Sequence, residues 1–341
     1  MGWSLLVLGG MLLAIGTLLT AATVFLMAWS LLRPPRMTDG KAAWLLRRLS
    51  PGDLGLPYGD VSFSVRDERT GQSLRLAAWW IPTAVGGPPS ENCVVLLPGY
   101  ADAKVGVIAW APVWHVLGFS ILALDPRAHG DSEGRESTAG YFERHDVNQV
   151  IDRLRGERPA ATRHVVLFGA SLGAAVAVAA AALRDDVAAV VLESPFTDFR
   201  AASAAHMDLL GLPGGYLQSA ALRLAEWMSG AKFDDVRPID LLRSVRCPAF
   251  VIAPTDDVFL GPDDAAAFEI ALAARPPGSG PGEIWRVEGA RHLLGVHADE
   301  EVYAQRLQQF LAAALGRSLI PIDPSTTKDD SAGVNAGRGA V

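Results

Sequence analysis

Short, continuously apolar segments alternate with helical ones over most of the chain, and this alternation constrains the fold more than any other feature. Residues 94–97, 165–168 and 190–192 are all Val, Leu or Phe, as is typical of strands buried on both faces of a parallel sheet. Two strands come first, and strand and helix then alternate. The sequence therefore predicts an α/β fold with an eight-stranded, mostly parallel sheet. Its strands are predicted at 61–65, 74–81, 93–97, 120–124, 164–168, 188–192, 249–253 and 284–287.

A serine between small residues is the strongest chemical signal. The motif is Gly169-Ala170-Ser171-Leu172-Gly173, directly after one predicted strand and directly before an Ala-rich helix. At a sharp strand-to-helix turn the serine oxygen projects from the C-terminal edge of the sheet, and small neighbours let the backbone approach closely. The helix N-terminus favours negative charge developing there. We therefore predict that Ser171 is a nucleophile.

A serine hydroxyl needs a base, and the chain has seven histidines. His292 is the preferred base, because it follows the last predicted strand through a short glycine-containing loop. His297, a few residues further on, is the alternative. His129 lies in the loop after the fourth predicted strand, where we expect it to brace the loop together with Arg127 and Asp131.

An acid should hold the histidine in one tautomer and stabilise its charged form. The turn after the strand predicted at 249–253 contains both Asp256 and Asp257. Asp198, after the preceding strand, is a more distant candidate. The oxyanion needs backbone N–H donors, and we assign these to Leu172, directly after the nucleophile, and to Tyr100, in the loop after the third strand. The Tyr100 side chain is expected to line the pocket.

From about residue 61 to 316 the chain resembles the α/β-hydrolase superfamily. The resemblance rests on the serine motif and on two further segments, which are Leu192-Glu193-Ser194-Pro195-Phe196 and residues 125–134, DPRAHGDSEG. It is similar to the branch of serine hydrolases with one N-terminal anchor and a small cap. Relatives in that branch hydrolyse esters or thioesters of acyl chains, including monoacylglycerols, lysophospholipids and acylated proteins.

The resemblance also bears on the triad. The superfamily order of serine, acid and histidine is matched by Ser171, Asp256 and His292, whereas His129 precedes the serine. The acid usually lies three residues after a glycine and is soon followed by apolar residues. Counting from Ala253 selects Asp256, which we prefer, and counting from Pro254 selects Asp257. The sequence departs from the usual superfamily pattern at two places. The acid turn begins with Ala253-Pro254 where relatives usually have a glycine, and the loop after the third strand has Pro98-Gly99 where many relatives have His-Gly.

The N-terminal segment is apolar and carries no charged side chain from Trp3 to Leu32. It is long enough to cross a bilayer, has no polar face and is too long for a signal peptide, although Ala21-Ala22 resembles a cleavage site. The sequence therefore predicts one transmembrane helix. Basic residues follow it, which places the catalytic domain in the cytoplasm. These residues are Arg33, Arg36, Lys41, Arg47 and Arg48.

The predicted organisation is an anchor at 1–33, a basic juxtamembrane linker at 34–60, an α/β-hydrolase domain at 61–316 with a helical cap at about 196–242, and a disordered tail at 317–341. The two cysteines, Cys93 and Cys247, are expected to be buried, unpaired core residues because their strands are not neighbours. A net charge of −7 with no long basic run argues against nucleic-acid binding.

These observations predict a serine hydrolase that cleaves carboxylic esters or thioesters through an acyl-enzyme on Ser171. The anchor favours a lipidic substrate. The alternatives are a serine peptidase on the same scaffold and a catalytically silent binding protein. No metal-ligand cluster or dinucleotide motif is present in the sequence, so no cofactor is expected.

Overall fold

A single eight-stranded sheet forms the centre of the protein. The computed structural model describes residues 2–83, 90–209, 211, 214–317 and 319. All eight predicted strands are confirmed, with ends shifted by at most two residues. They are β1 Gly59–Arg66, β2 Ser73–Ile81, β3 Asn92–Leu97, β4 Ser120–Leu124, β5 His164–Ala170, β6 Ala189–Glu193, β7 Ala249–Pro254 and β8 Gly282–Val287.

The strand order across the sheet is β1-β2-β4-β3-β5-β6-β7-β8. β2 is antiparallel to both of its neighbours, and all other pairs are parallel. The parallel part places the carboxyl ends of β3, β5, β6, β7 and β8 at one edge, where loops from different strands meet.

Helices cover both faces of the sheet. In chain order they are α1 Gly2–Leu32, α2 Asp39–Leu45, α3 Lys104–Val107, α4 Ala111–Val116, α5 Glu143–Glu157, α6 Leu172–Ala181, α7 Phe199–Leu209, α8 Tyr216–Ser229, α9 Pro238–Leu242, α10 Pro262–Ala273, α11 Gly295–Ala298 and α12 Glu300–Leu315. Side chains of α5, α6, α9 and α10 pack on one face, and those of α3, α4 and α12 on the other. Alternate residues of β3 enter the two cores, Val95 on the first face and Val94 on the second.

The two cysteines lie apart in the sheet. Cys93 is in β3 and Cys247 precedes β7, and β5 and β6 separate these strands. Both thiols are free and buried, and burial raises the pKa of each to about 12. They are inert core residues, as the sequence predicts.

The loop after β4 is held by buried charges. Arg127 forms a bidentate pair with Asp146, at 2.6 and 2.7 Å, and contacts Asp67 at 3.1 Å. His129 Nδ1 lies 2.9 Å from the Arg127 carbonyl oxygen, and the ring is buried. Asp131 pairs instead with the Lys104 ammonium, at 2.5 Å. All three side chains are therefore committed to bracing this loop, in line with the expectation from the sequence.

The chain between 196 and 242 contains the predicted cap. Its described residues, 196–209, 211 and 214–242, form helices α7, α8 and α9 and include no strand. Leu210, Leu212 and Pro213 lie outside the described residues, as does the predicted disordered tail apart from Arg317 and Leu319. Phe259, next to the turn after β7, has its ring centroid 6.4 Å from that of His206 in α7. The cap thus lies over the carboxyl edge of the sheet.

α1 is apolar and long enough to cross a membrane by length and composition. It ends at Leu32, directly before Arg33 and the pair Pro34-Pro35. Proline lacks an N–H group and cannot continue the backbone hydrogen bonds of a helix. Among the residues that the structure describes, most side chains of α1 are exposed, and its last turns pack against the rest of the protein.

Candidate active site

Ser171 lies at the turn between β5 and α6. Its backbone has φ 54° and ψ −113°, a conformation that is strained for a residue with a side chain. The Ser171 N–H donates to the Glu193 carbonyl oxygen at 2.9 Å, so the adjacent strand holds the strained turn. A Cβ on Gly173 would overlap the Leu97 carbonyl oxygen, and one on Gly169 would overlap the Gly173 carbonyl oxygen. Both glycines are therefore required for α6 to approach the sheet this closely.

A continuous hydrogen-bonded chain runs from Ser171 through His292 to Asp257. His292 Nε2 is 3.0 Å from Ser171 Oγ. On its other side, His292 Nδ1 is 2.8 Å from Asp257 Oδ2 and 2.9 Å from Oδ1. The Asp257 side chain has 0% exposed surface and that of His292 has 20%. The buried carboxylate orients the imidazole so that Nε2 is free to accept the serine proton.

The prediction that Asp256 contacts the histidine is wrong, and Asp257 does so instead. Strand β7 continues through Pro254, one residue beyond the predicted end, which shifts the turn by one position. The Asp256 side chain points to solvent, while its N–H donates to the Ala290 carbonyl oxygen at 2.9 Å. Asp257 turns inward, where its Oδ1 also accepts from the Phe259 N–H at 2.9 Å.

The other candidates lie outside this arrangement. His297 is exposed in α11, with Nδ1 3.7 Å from Glu300. Asp198 accepts from the Arg200 N–H at 2.6 Å and contacts Arg237 at 3.2 Å. Neither forms a hydrogen bond with Ser171 or His292 among the residues described.

The N–H groups predicted to stabilise the oxyanion belong to the residue after Ser171 and to the loop after β3. Leu172 is the first residue of α6, and an N–H group in the first turn of a helix has no carbonyl partner within that helix. The loop after β3 lies beside the nucleophile, because a Cβ on Gly99 would be 3.5 Å from Ser171 Cβ. Tyr100 follows directly. Its side chain contacts α1 as well as the apolar cluster near the site, and its hydroxyl donates to the Ser30 carbonyl oxygen at 2.5 Å.

Glu193, at the end of β6, holds residues of the site in place through hydrogen bonds. This role was not predicted from the sequence. Its backbone carbonyl accepts from Ser171, and its side-chain Oε2 accepts from the Tyr303 hydroxyl at 2.8 Å. The next residue, Ser194, accepts from the Leu293 N–H at 3.0 Å. The end of β6 therefore holds both the nucleophile and the loop that carries His292. The sequence did contain a signal for this role. Glu193 is a charged residue at the end of a continuously apolar strand, within the segment Leu192-Glu193-Ser194-Pro195-Phe196 that resembles the superfamily.

Glu193 should make stability depend on pH. Burial, reinforced by Asp257 and opposed by the Tyr303 hydrogen bond, raises the Glu193 pKa from 4.5 to about 8. Between these values the folded protein binds the proton and the unfolded chain does not. The free energy of unfolding should therefore fall as pH rises through this window, by up to about 1.4 kcal/mol per pH unit. Glu193→Gln, which is neutral throughout, should lack this contribution.

Thermal unfolding in detergent from pH 5 to 8.5 measures this effect. The Tm of the wild type should fall relative to that of Glu193→Gln as pH rises. Glu283→Gln removes an exposed carboxyl in β8 and should follow the wild type. Parallel curves for the wild type and Glu193→Gln would contradict the prediction.

An eight-stranded sheet with a serine after β5, an acid after β7 and a histidine after β8 defines an α/β hydrolase. The chain belongs to the Hydrolase_4 family, described as serine aminopeptidase, S33, whose model matches residues 88–259. The matched region contains Ser171 and Asp257.

The chain is also similar to two uncharacterized proteins in sequence and to a solved esterase structure in fold. The chain is 32% identical over 222 residues to an uncharacterized protein of Mycobacterium tuberculosis, covering 65% of this chain and 69% of that protein. It is 27% identical over 152 residues to an uncharacterized membrane protein of Saccharomyces cerevisiae, covering 44% and 50%. Its fold is similar to that of the Pyrococcus furiosus esterase Pf2001, with TM-score 0.64, 23% identity and coverage of 82% of this chain and 98% of that one.

Proposed function

We propose that the protein is a membrane-anchored serine hydrolase that cleaves carboxylic esters or thioesters of lipidic acyl chains. The observation that carries this proposal is the chain of hydrogen bonds from Asp257 through His292 to Ser171, with distances of 2.8 and 3.0 Å. A strained serine with a base in hydrogen-bond contact, itself oriented by a buried acid, has the arrangement needed to form a covalent intermediate.

The reaction follows from these contacts. His292 Nε2 takes the Ser171 proton as Oγ attacks the acyl carbonyl carbon, and the Leu172 and Tyr100 N–H groups stabilise the oxyanion. His292 then protonates the departing alcohol or thiol, which leaves the acyl group on Ser171. Water, deprotonated by His292, attacks this ester, and the imidazolium returns the proton to Ser171 Oγ as the acid is released. Asp257 stays ionised and stabilises the imidazolium in both halves.

The proposed lipidic substrate follows from α1 and its surroundings. A helix that crosses the bilayer keeps the site close to lipids. Exposed Trp44 and Trp227 are residues of the type that favours the membrane interface. The excess of basic residues after α1 favours a cytoplasmic catalytic domain. Among them, Arg36 also binds the domain itself, donating to the Gly130 and Ser132 carbonyl oxygens at 2.6 Å.

Labelling by a fluorophosphonate probe tests the proposal. The detergent-solubilised protein should form one adduct, and peptide mass spectrometry should locate it on Ser171, because only a serine with an oriented base reacts rapidly with this electrophile. Protein unfolded by heat should remain unlabelled. An unlabelled folded protein would contradict the proposal and favour a binding role.

Substrate panels separate the remaining possibilities. A series of p-nitrophenyl and glycerol esters of increasing acyl length should give the highest kcat/KM with long chains. The family description raises the alternative of a serine peptidase. Hydrolysis of amino-acid p-nitroanilides faster than of any ester would support that alternative.

A further inference from the structure

The last turns of α1 pack against the catalytic domain along one side of the helix. The contacting residues recur every three or four positions, which is the spacing of one helical face. Ala28 and Leu32 have 0% exposed surface. They share one apolar cluster with Ala221 and Ala225 of α8 and with Leu172, the neighbour of the nucleophile. The stripe on α1 consists of Val24, Met27, Ala28, Leu31 and Leu32.

The domain also binds the carbonyl groups at the end of α1. The Ser30 carbonyl would normally accept from the N–H four residues later, but that residue is Pro34, which has none. The Tyr100 hydroxyl occupies this acceptor instead, at 2.5 Å. The Leu32 carbonyl accepts from the Ser137 N–H at 2.7 Å. These two bonds connect the end of α1 to the domain through its terminal carbonyl groups, which have no donor within the helix.

One of these two bonds leads directly to the reaction site. Tyr100 supplies a proposed oxyanion N–H, and its neighbour Gly99 lies against Ser171. Burial raises the pKa of the Tyr100 hydroxyl to about 12, so the phenol keeps its proton and remains a donor. The end of α1 is therefore linked to the loop that should stabilise the transition state.

We propose that the last turns of α1, Val24–Leu32, are part of the active-site framework and that Tyr100 is a positioning residue that links them to the oxyanion loop. The full rate of hydrolysis then depends on the docked helix itself, in addition to any delivery of the enzyme to a membrane. Residues 2–23 precede this contact, and those of their side chains that the structure describes are exposed. At about 1.5 Å per residue they cover roughly 33 Å, which matches a hydrocarbon layer of about 30 Å. Docking and spanning are therefore compatible. This inference rests on the proposed serine hydrolase function.

A short, soluble ester substrate distinguishes a role of α1 in positioning the active site from a role in bringing the enzyme to a membrane. With p-nitrophenyl butyrate and full-length protein in detergent, access to a bilayer plays no part. Tyr100→Phe removes only the hydroxyl and should lower kcat by about 10-fold with KM within about twofold, a fraction of the 10²- to 10³-fold loss typical of removing a whole oxyanion donor. The rate of fluorophosphonate labelling should fall by a similar factor.

A second pair of variants tests the helix contact. Ala28→Leu adds bulk where α1 meets α8 and should also lower kcat by about 10-fold, because overpacking displaces the helix. Ala22→Leu makes the same substitution on the exposed part of α1 and should match the wild type within about twofold.

The outcomes are distinguishable. Wild-type kcat in both Tyr100→Phe and Ala28→Leu would overturn the inference while leaving the serine hydrolase intact. A lower Tm in Tyr100→Phe without a change in kcat would also overturn it, since the bond would then serve stability alone. A wild type that neither labels nor hydrolyses any ester would overturn both the proposed function and the inference.

Discussion

Replacing Ser171 by alanine is expected to lower kcat for ester hydrolysis by about 10⁴- to 10⁶-fold, and replacing His292 by alanine should have a similar effect. The double variant should be no slower than either single one. The reason is that His292 Nε2 and Ser171 Oγ are in direct contact and act on one proton. Once either is lost, the other has no reaction to assist. Steady-state hydrolysis of a p-nitrophenyl ester by purified protein measures all three variants.

The matched control is His297→Ala. His297 was the alternative base, and it is exposed in α11 beside Glu300, so its loss should change kcat by less than about twofold. If the Ser171 and His292 effects multiplied in the double variant, the two residues would contribute independently and the proposed triad would be wrong. A large loss of kcat in His297→Ala would identify His297 as the general base.

The centre of the sheet was predictable because its strands are marked by continuously apolar composition. Segments such as 165–168 are apolar at every position, and in the structure both alternate sets of side chains are buried, Val165 in one core and Val166 in the other. The turn at Ser171 was predictable for a related reason. Its small residues stand between a buried strand and a buried helix, and the close approach of Gly173 to Leu97 explains why a larger residue would not fit.

The choice of aspartate failed over a single residue at the end of β7. The preference for Asp256 came from counting three residues on from Ala253, the predicted end of the strand, whereas counting from Pro254 gives Asp257. Proline cannot donate a hydrogen bond to a neighbouring strand. In the structure Pro254 still pairs with Val287 of β8, but the pairing of β7 with β6 has already stopped at Ile252. The missing N–H therefore costs little there. Such a position depends on where the neighbouring strand ends, which a local pattern does not encode.

The docking of α1 was not predictable either, for a different reason. Its exposed and domain-facing residues are equally apolar, so no difference in polarity marks the stripe that packs on α8. The partner residues, such as Ala221 and Ala225, are far away in the chain. The one local signal was Pro34, which leaves the Ser30 carbonyl without its usual N–H donor in the helix. Nothing near it in the sequence indicates that the Tyr100 hydroxyl donates to this carbonyl instead.

Asp257→Asn is expected to lower kcat by about 10³- to 10⁴-fold. The Asp257 carboxylate is fully buried and accepts from His292 Nδ1 at 2.8 Å. An asparagine amide in its place can donate to Nδ1, which favours the tautomer with the proton on Nε2. His292 can then no longer accept the Ser171 proton, and the imidazolium loses its counter-charge. Because the two side chains have nearly the same shape, the effect should appear in kcat with little change in KM.

Asp256→Asn is the matched control, since it makes the same substitution one residue away on an exposed side chain. It should keep kcat within about twofold of the wild type, and circular dichroism should show that both variants are folded. A loss in Asp256→Asn with normal activity in Asp257→Asn would mean that the acid turn rearranges when substrate binds. Equal losses in both would mean that the two carboxylates of the turn act as a unit. A loss confined to Asp257→Asn would establish that the end of β7, one residue later than the sequence indicates, determines which carboxylate reaches the base.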